Sequence, residues 1–228
     1  MDAELSRSVT DLILGATTLA LAVRLRGVAG VHRHWRRTFW FAGAAALAGA
    51  LYHGPLGGSG SAAELTWVAV GVLIVVMLSY LLAASVVEVL GPGRGRVFLV
   101  IRSAGLVAYL LAVVLGNSGL NALLLCESLT MAAVLGLWAL GARRSHPMAP
   151  AMIAAILASG LAGIVFALPE RPTDVVGLDP PSLSHLAQIP GMVLLFMAVA
   201  GAGRLQLRAP GRSPSAGGRH RRVPFGVP

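Results

Sequence analysis

The stretch "LTWVAVGVLIVVMLSYLLAASVVEVL", residues 65–90, carries a single charged side chain, Glu88. A helix needs roughly 20 mainly apolar residues to cross a bilayer, and one that is apolar all round has no polar face to turn toward water. Six further runs share this character, at about 8–26, 37–55, 97–116, 119–141, 148–168 and 182–205. None alternates with period two, and each is longer than the roughly ten residues of a barrel strand. The pattern predicts an all-α fold: an integral membrane bundle of seven transmembrane helices occupying residues 1–205. The composition agrees. With 56% hydrophobic residues, 12% charged residues and a mean hydropathy of +0.78, the chain has too little polar material to coat a soluble globule.

Charge sets the expected orientation. The loops after the first, third and fifth runs carry Arg24, Arg26, Arg33, Arg36, Arg37, Arg94, Arg96, Arg143 and Arg144, and the C-terminal segment adds Arg204, Arg208, Arg212, Arg219, Arg221 and Arg222. The opposite side holds only Arg7 and Arg171, beside Asp2, Glu4, Glu64, Glu170, Asp174 and Asp179. The positive-inside rule then places the N-terminus out and the C-terminus in, in a plasma membrane read as the bacterial inner membrane, with membrane lipids as partners. The opening "MDAELSRS" lacks the basic region of a signal peptide, so the first run is expected to be a true helix. Residues 206–228, rich in Pro, Gly, Ser and Arg, cannot build a core and read as a disordered basic cytoplasmic tail. Such a tail either anchors the topology or is drawn to anionic headgroups.

The same inventory excludes several classes. All 18 basic residues are arginine, and without a lysine no retinal Schiff base can form. The arginines flank apolar runs instead of forming a binding face, which argues against a nucleic-acid partner. Cys126 is the lone cysteine, so no intrachain disulfide and no cysteine-based zinc site exists.

Chemistry must therefore come from polar residues inside the runs, where a charge at mid-bilayer costs about 2.5–3.5 kcal/mol on insertion scales. Most of them fall in the outer half: Asp11 in run 1, His53 at the end of run 2 in "AGALYHGP", Glu64 before run 3, Asn117, Asn121 and Glu127 around runs 4 and 5, and Ser182, His185 and Gln188 at spacings of three in run 7. Ala42, Ala46, Gly49 and His53 share one face of run 2, small enough for another helix to approach closely. Pro190 cannot donate to the carbonyl of Leu186 and should loosen the turn that holds His185 and Gln188. At the other end, Glu88 and Arg102 flank the short turn "GPGRGR" and are expected to pair.

This arrangement resembles the CREST superfamily of seven-helix membrane proteins, which includes alkaline ceramidases and adiponectin-type receptors. In that superfamily a histidine ends helix 2, an acid opens helix 3 and two histidines open helix 7, together binding zinc for amide hydrolysis. His53, Glu64 and His185 match three of these positions. The second helix 7 histidine is Ile189 here, with Gln188 one residue earlier, and the helix 2 serine is Gly49. The segments "TDLILGATTLALA", "ALAGALYHG" and "SHLAQIPG" are also similar to a bacterial seven-helix family with no assigned function.

Two functional classes follow. In the first, the resemblance implies zinc held by His53, Glu64 and His185, a ligand set that leaves one position for water. Asp11 or Glu127 would be the general base, Gln188 would orient water or a carbonyl, and the substrate would be a lipid-like or amide small molecule. In the second, the same cluster serves a non-enzymatic sensor, ligand-binding or transport-associated protein. Every residue also has a purely structural alternative: Ser61 and Glu64 form a Ser-x-x-Glu capping box, His53 satisfies helix-end carbonyls, and His185 with Gln188 bonds across helices.

Overall fold

The computed structural model describes residues 2–57, 60–93, 95–116, 119–169 and 177–208, without the side chains of 97 and 204–208. Seven helices are formed among them: α1 (Ala3–Arg26), α2 (Arg33–His53), α3 (Ser61–Leu90), α4 (Arg96–Val114), α5 (Leu120–Arg143), α6 (Ala149–Phe166) and α7 (Pro180–Arg208). Each apolar run lies on one helix, but the first three helices start earlier than the runs do. Polar residues carry these added turns. The Asp2 carboxylate accepts from the Glu4 amide at 3.4 Å at the start of α1, and His32 Nδ1 accepts from the His34 amide at 3.3 Å at the start of α2.

Among the described residues, five helices are long and apolar enough to cross a membrane: α1, α3, α5, α6 and the Pro180–Gly203 portion of α7. Of the other two, α2 opens with Arg33, Arg36 and Arg37 and continues largely in Ala and Gly, and the described apolar part of α4 is the shorter Phe98–Val114.

Packing closes a ring in the order α1, α2, α3, α5, α6, α7 and back to α1, with α4 outside it against α3 and α5. Close helix approach is built from glycine. A Cβ on Gly15 would lie 2.8 Å from Leu47 of α2, and one on Gly43 would lie 2.6 Å from Leu19 of α1, so each helix seats the other's leucine. Gly191, next to Pro190, admits Ser159 of α6 in the same way, and α7 continues through the proline without interruption.

The two ends of the ring differ. Where α1 ends and α2 begins lies the arginine-rich end, with Leu25, Trp35, Phe39, Trp138, Met152 and Val199 almost wholly buried. Where α1 begins lies the acid–histidine end, whose buried residues include Ser6, Thr10, Asp11, Ser182 and Ser184. Large apolar side chains such as Leu12, Leu65, Val100, Leu125, Leu161 and Met197 stand exposed around the outside. Apolar solvent would leave such a surface at no cost.

Two local expectations need correcting. Glu88 accepts a bond from Trp35 Nε1 at 3.4 Å, and among the described residues no ion pair joins it to Arg102. The capping box does not form either: Gly60, at φ +129°, is the N-cap of α3, Ser61 is already the first helical residue, and no side chain caps the helix. Asn117, Arg94, Glu170, Arg171, Asp174 and residues 209–228, which bear on the expected topology and tail, lie outside the described residues.

Candidate functional site

Thr10 and Asp11 sit on the buried face of α1, one helical turn beyond Ser6 and Arg7. That face meets two helices at once. On the α2 side, a Cβ on Gly49 would come within 2.5 Å of Asp11 Oδ2, so only glycine leaves room for the carboxylate. On the α7 side, Asp11 Oδ1 lies 3.4 Å from His185 Nδ1. The small face expected on α2 is therefore real, and α1 is the helix that uses it.

Thr10 fixes which nitrogen of His185 carries the proton. Its hydroxyl points at the carbonyls of Ser6 and Arg7, at 3.0 and 3.1 Å, and its single hydrogen goes to that pair. The oxygen is then an acceptor toward His185 Nδ1 at 3.3 Å. Nδ1 therefore donates, between Thr10 and the Asp11 carboxylate, and Nε2 keeps a free lone pair in the neutral ring.

His53 repeats the arrangement. Its Nδ1 lies 2.8 Å from Glu4 Oε2, and because a carboxylate only accepts, Nδ1 again carries the hydrogen. Tyr52 places its ring beside the imidazole, with centroids 5.0 Å apart, and Trp67 packs on Tyr52 at 5.4 Å. Both histidines are thus held at Nδ1 by a carboxylate of α1, and His185 lies within the electrostatic reach of His53.

A chain of polar links ties these pairs together. Glu4 Oε1 accepts from Arg7 at 2.8 Å, Arg7 Nε donates to Asp179 Oδ2 at 2.5 Å, and the Ser182 hydroxyl donates to Asp179 Oδ1. Burial alone would push the Asp179 carboxyl up; the bonds from Ser182 and Arg7, with the Arg7 charge, bring it below the usual carboxylate range. Ser8 donates to the carbonyl of Ala50 at 2.8 Å and fastens the last turn of α2 to α1.

The remaining candidates stand apart. Glu64 is exposed in the first turn of α3, and its side chain makes no hydrogen bond or ion pair among the described residues. Glu127 belongs to α5, which packs on α3, α4 and α6 and not on α1. Gln188 is half-buried one turn beyond His185 on the same helix. Helices α2 and α7 touch at the arginine-rich end, where Phe39 and Phe196 meet edge to face at 6.5 Å, whereas at this end α1 provides the links between them. Among the described residues no three His, Cys, Asp or Glu side chains are placed to hold one metal ion. Sequence reasoning missed Glu4, Arg7, Thr10 and Asp179. Arg7, the rare cation on an acidic end and three residues from Glu4, was the signal available.

Among the described residues the molecule is all-helical, with five helices long and apolar enough to span a membrane and two carboxylate–imidazole pairs gathered on its first helix. It belongs to the family of unknown function DUF6962, whose match covers residues 6–204. No curated protein and no solved structure matches the chain.

Proposed function

We propose that this chain is a seven-span membrane protein, N-terminus out and C-terminus in, whose acid–histidine end is an outward-facing hydrolytic site for a lipid-like or amide substrate. The observation that carries this reading is His185. Thr10 and Asp11 hold its Nδ1–H and leave Nε2 to accept a proton. An imidazole oriented by a buried carboxylate is a general base: it takes a proton from water as the water attacks, and the carboxylate stabilises the imidazolium that results. Gln188, one turn along α7, would orient that water or the substrate carbonyl. His53, held by Glu4 and neighboured by Arg7, adds a second imidazole and positive charge for a developing oxyanion.

Zinc, implied by the CREST resemblance, does not fit the set His53, Glu64 and His185 as they stand, because Glu64 is exposed on α3 and joins neither histidine. No step is therefore routed through it. The test is hydrolysis of a panel of fluorescent N-acyl amides and ceramides by the purified protein, with metal content measured on the same sample. His185→Ala and Asp11→Asn should each lower turnover by about 10²–10⁴-fold while the thermal transition survives. Absence of turnover in a folded wild type, or equal turnover in the variants, would overturn the hydrolase reading.

A second reading has its own support: the Ser8, Arg7 and Asp11 links make α1 a clasp between α2 and α7. A sensor would release or tighten such a clasp on binding a ligand. Ligand-dependent stabilisation without turnover would favour it.

A further inference from the structure

The opposite end of the bundle holds a cluster that the proposed hydrolytic site does not use. Tyr80 of α3 lies against a stripe of α2, with His34 stacked at 5.8 Å between ring centroids and Phe41 stacked at 5.5 Å. Arg37, between them on the same helix, donates to the Tyr80 hydroxyl at 3.3 Å and places its guanidinium carbon 5.2 Å from the ring centroid. Arg102, reaching in from α4, lies 5.4 Å from the same centroid. Arg33 and His32 complete the group, and the charges of His32, Arg102, Arg33 and Arg37 all act on His34.

Among the described residues, Arg33, Arg37 and Arg102 have no carboxylate in ion-pair contact. The nearby acid, Glu88, is engaged by Trp35 and acts on His32, whose imidazole is held below its ordinary value, first by burial and then by Arg33. His34 Nδ1 is buried with no hydrogen-bond partner. Two guanidiniums held on one aromatic ring, beside an unpartnered imidazole nitrogen and with no carboxylate in ion-pair contact among the described residues, form an incomplete site. Cation–π contact fixes the guanidiniums without neutralising them, and a planar guanidinium fork matches a phosphate oxygen pair.

We propose that the basic cluster around Tyr80, drawn from α2, α3 and α4, binds a phosphate group, with Arg37 and Arg102 as its principal contacts. Basic pockets between helices at the cytoplasmic face are suited to anionic headgroups. The lipid assignment rests on the orientation proposed above, whereas the phosphate chemistry does not.

The experiment uses the full chain in two settings. In mixed phosphatidylcholine and phosphatidylglycerol micelles, lipid retained by the protein is measured by native mass spectrometry. In phosphatidylcholine nanodiscs, the thermal transition is followed against inorganic phosphate. Wild type should retain phosphatidylglycerol selectively; Arg102→Gln should lower that selectivity about fivefold, and Arg37→Gln with Arg102→Gln about thirtyfold. Arg102→Lys keeps the charge, guards against a folding failure, and should still lose part of the selectivity because the fork is gone.

Retention of phosphatidylglycerol without a response to phosphate identifies a lipid headgroup. A phosphate-dependent rise in the transition, lost in the double variant, identifies a soluble phosphate compound. Neither response in a folded wild type overturns the proposal. So does an equal loss in Arg143→Gln with Arg144→Gln, a control at the same end of the bundle, because general attraction to anionic lipid would then be sufficient.

Discussion

The arginine-rich end and the acid–histidine end of this bundle are held together by different physics. At the first, Trp35, Phe39 and Trp138 fill the space between helices, and their dispersion contacts do the work that the hydrophobic effect cannot do between helices in lipid. At the second, glycines bring the backbones close, and serine, threonine, carboxylate and imidazole groups bond across the gap. Large side chains make the first end intolerant of lost volume. Small ones make the second intolerant of added volume, and sensitive to proton activity.

The sharpest test of this contrast is Trp138→Ala. The indole is fully buried, donates from Nε1 to Ser85 Oγ at 3.0 Å, and meets Trp35 and His146 at ring distances of 6.5 and 5.4 Å. Truncation should cost roughly 3–5 kcal/mol, read as a lowered thermal transition in detergent or nanodiscs. Ser85→Ala removes only the hydrogen bond and should cost about 0.6 kcal/mol, the usual size of such bonds in membrane bundles. Similar losses from the two variants would mean that polar links dominate this end too.

Gly49→Ala probes the other end by adding volume. The new methyl would stand 2.5 Å from Asp11 Oδ2, too close for contact, and must push the carboxylate off His185 or separate α1 from α2. A cost of about 1–3 kcal/mol is expected. In an Asp11→Ala background most of that cost should vanish, since the carboxylate is the obstacle; a double-mutant cycle measures the coupling. Additive losses would show that the methyl strikes something other than Asp11.

How far the sequence revealed these features depends on their range. The seven described helices were legible because each apolar run reports its own exclusion from water, and the early starts of α1 to α3 were missed because polar turns such as that of Arg33–Arg37 continue a helix without extending the run. His53 and His185 were legible as polar residues in apolar surroundings. Their partners were not. Choosing Glu4 over Glu64 for His53 depends on the rotation of α1 against α2, which Gly15, Leu19, Gly43 and Leu47 fix jointly and no local pattern encodes. The same limit explains Glu88. Proximity along the chain suggested Arg102, yet Trp35, 53 positions away, makes the bond.

A modest effect is expected at the edge of the acid–histidine end, at Asp179. Its carboxylate receives Arg7 Nε and the Ser182 hydroxyl, and its proton affinity in the folded protein is below the ordinary value near 3.9. A carboxyl depressed on folding stabilises the protein above the unfolded value and loses that contribution as pH falls through the folded one. Asp179→Asn should therefore lower stability by about 1 kcal/mol at neutral pH, the scale of a partly exposed ion pair. The gap to wild type should begin to narrow as the pH drops below about 4, where the unfolded carboxyl takes up its proton, and close only once the pH has fallen past the lower value of the folded one. Thermal transitions of both proteins at neutral and acid pH measure this. Identical transitions at neutral pH would show that the link from α1 to α7 through Arg7 contributes nothing. A gap that persists unchanged in acid would assign the loss to the Ser182 hydrogen bond and not to charge, and the acid–histidine end would then be less responsive to protons than its composition implies.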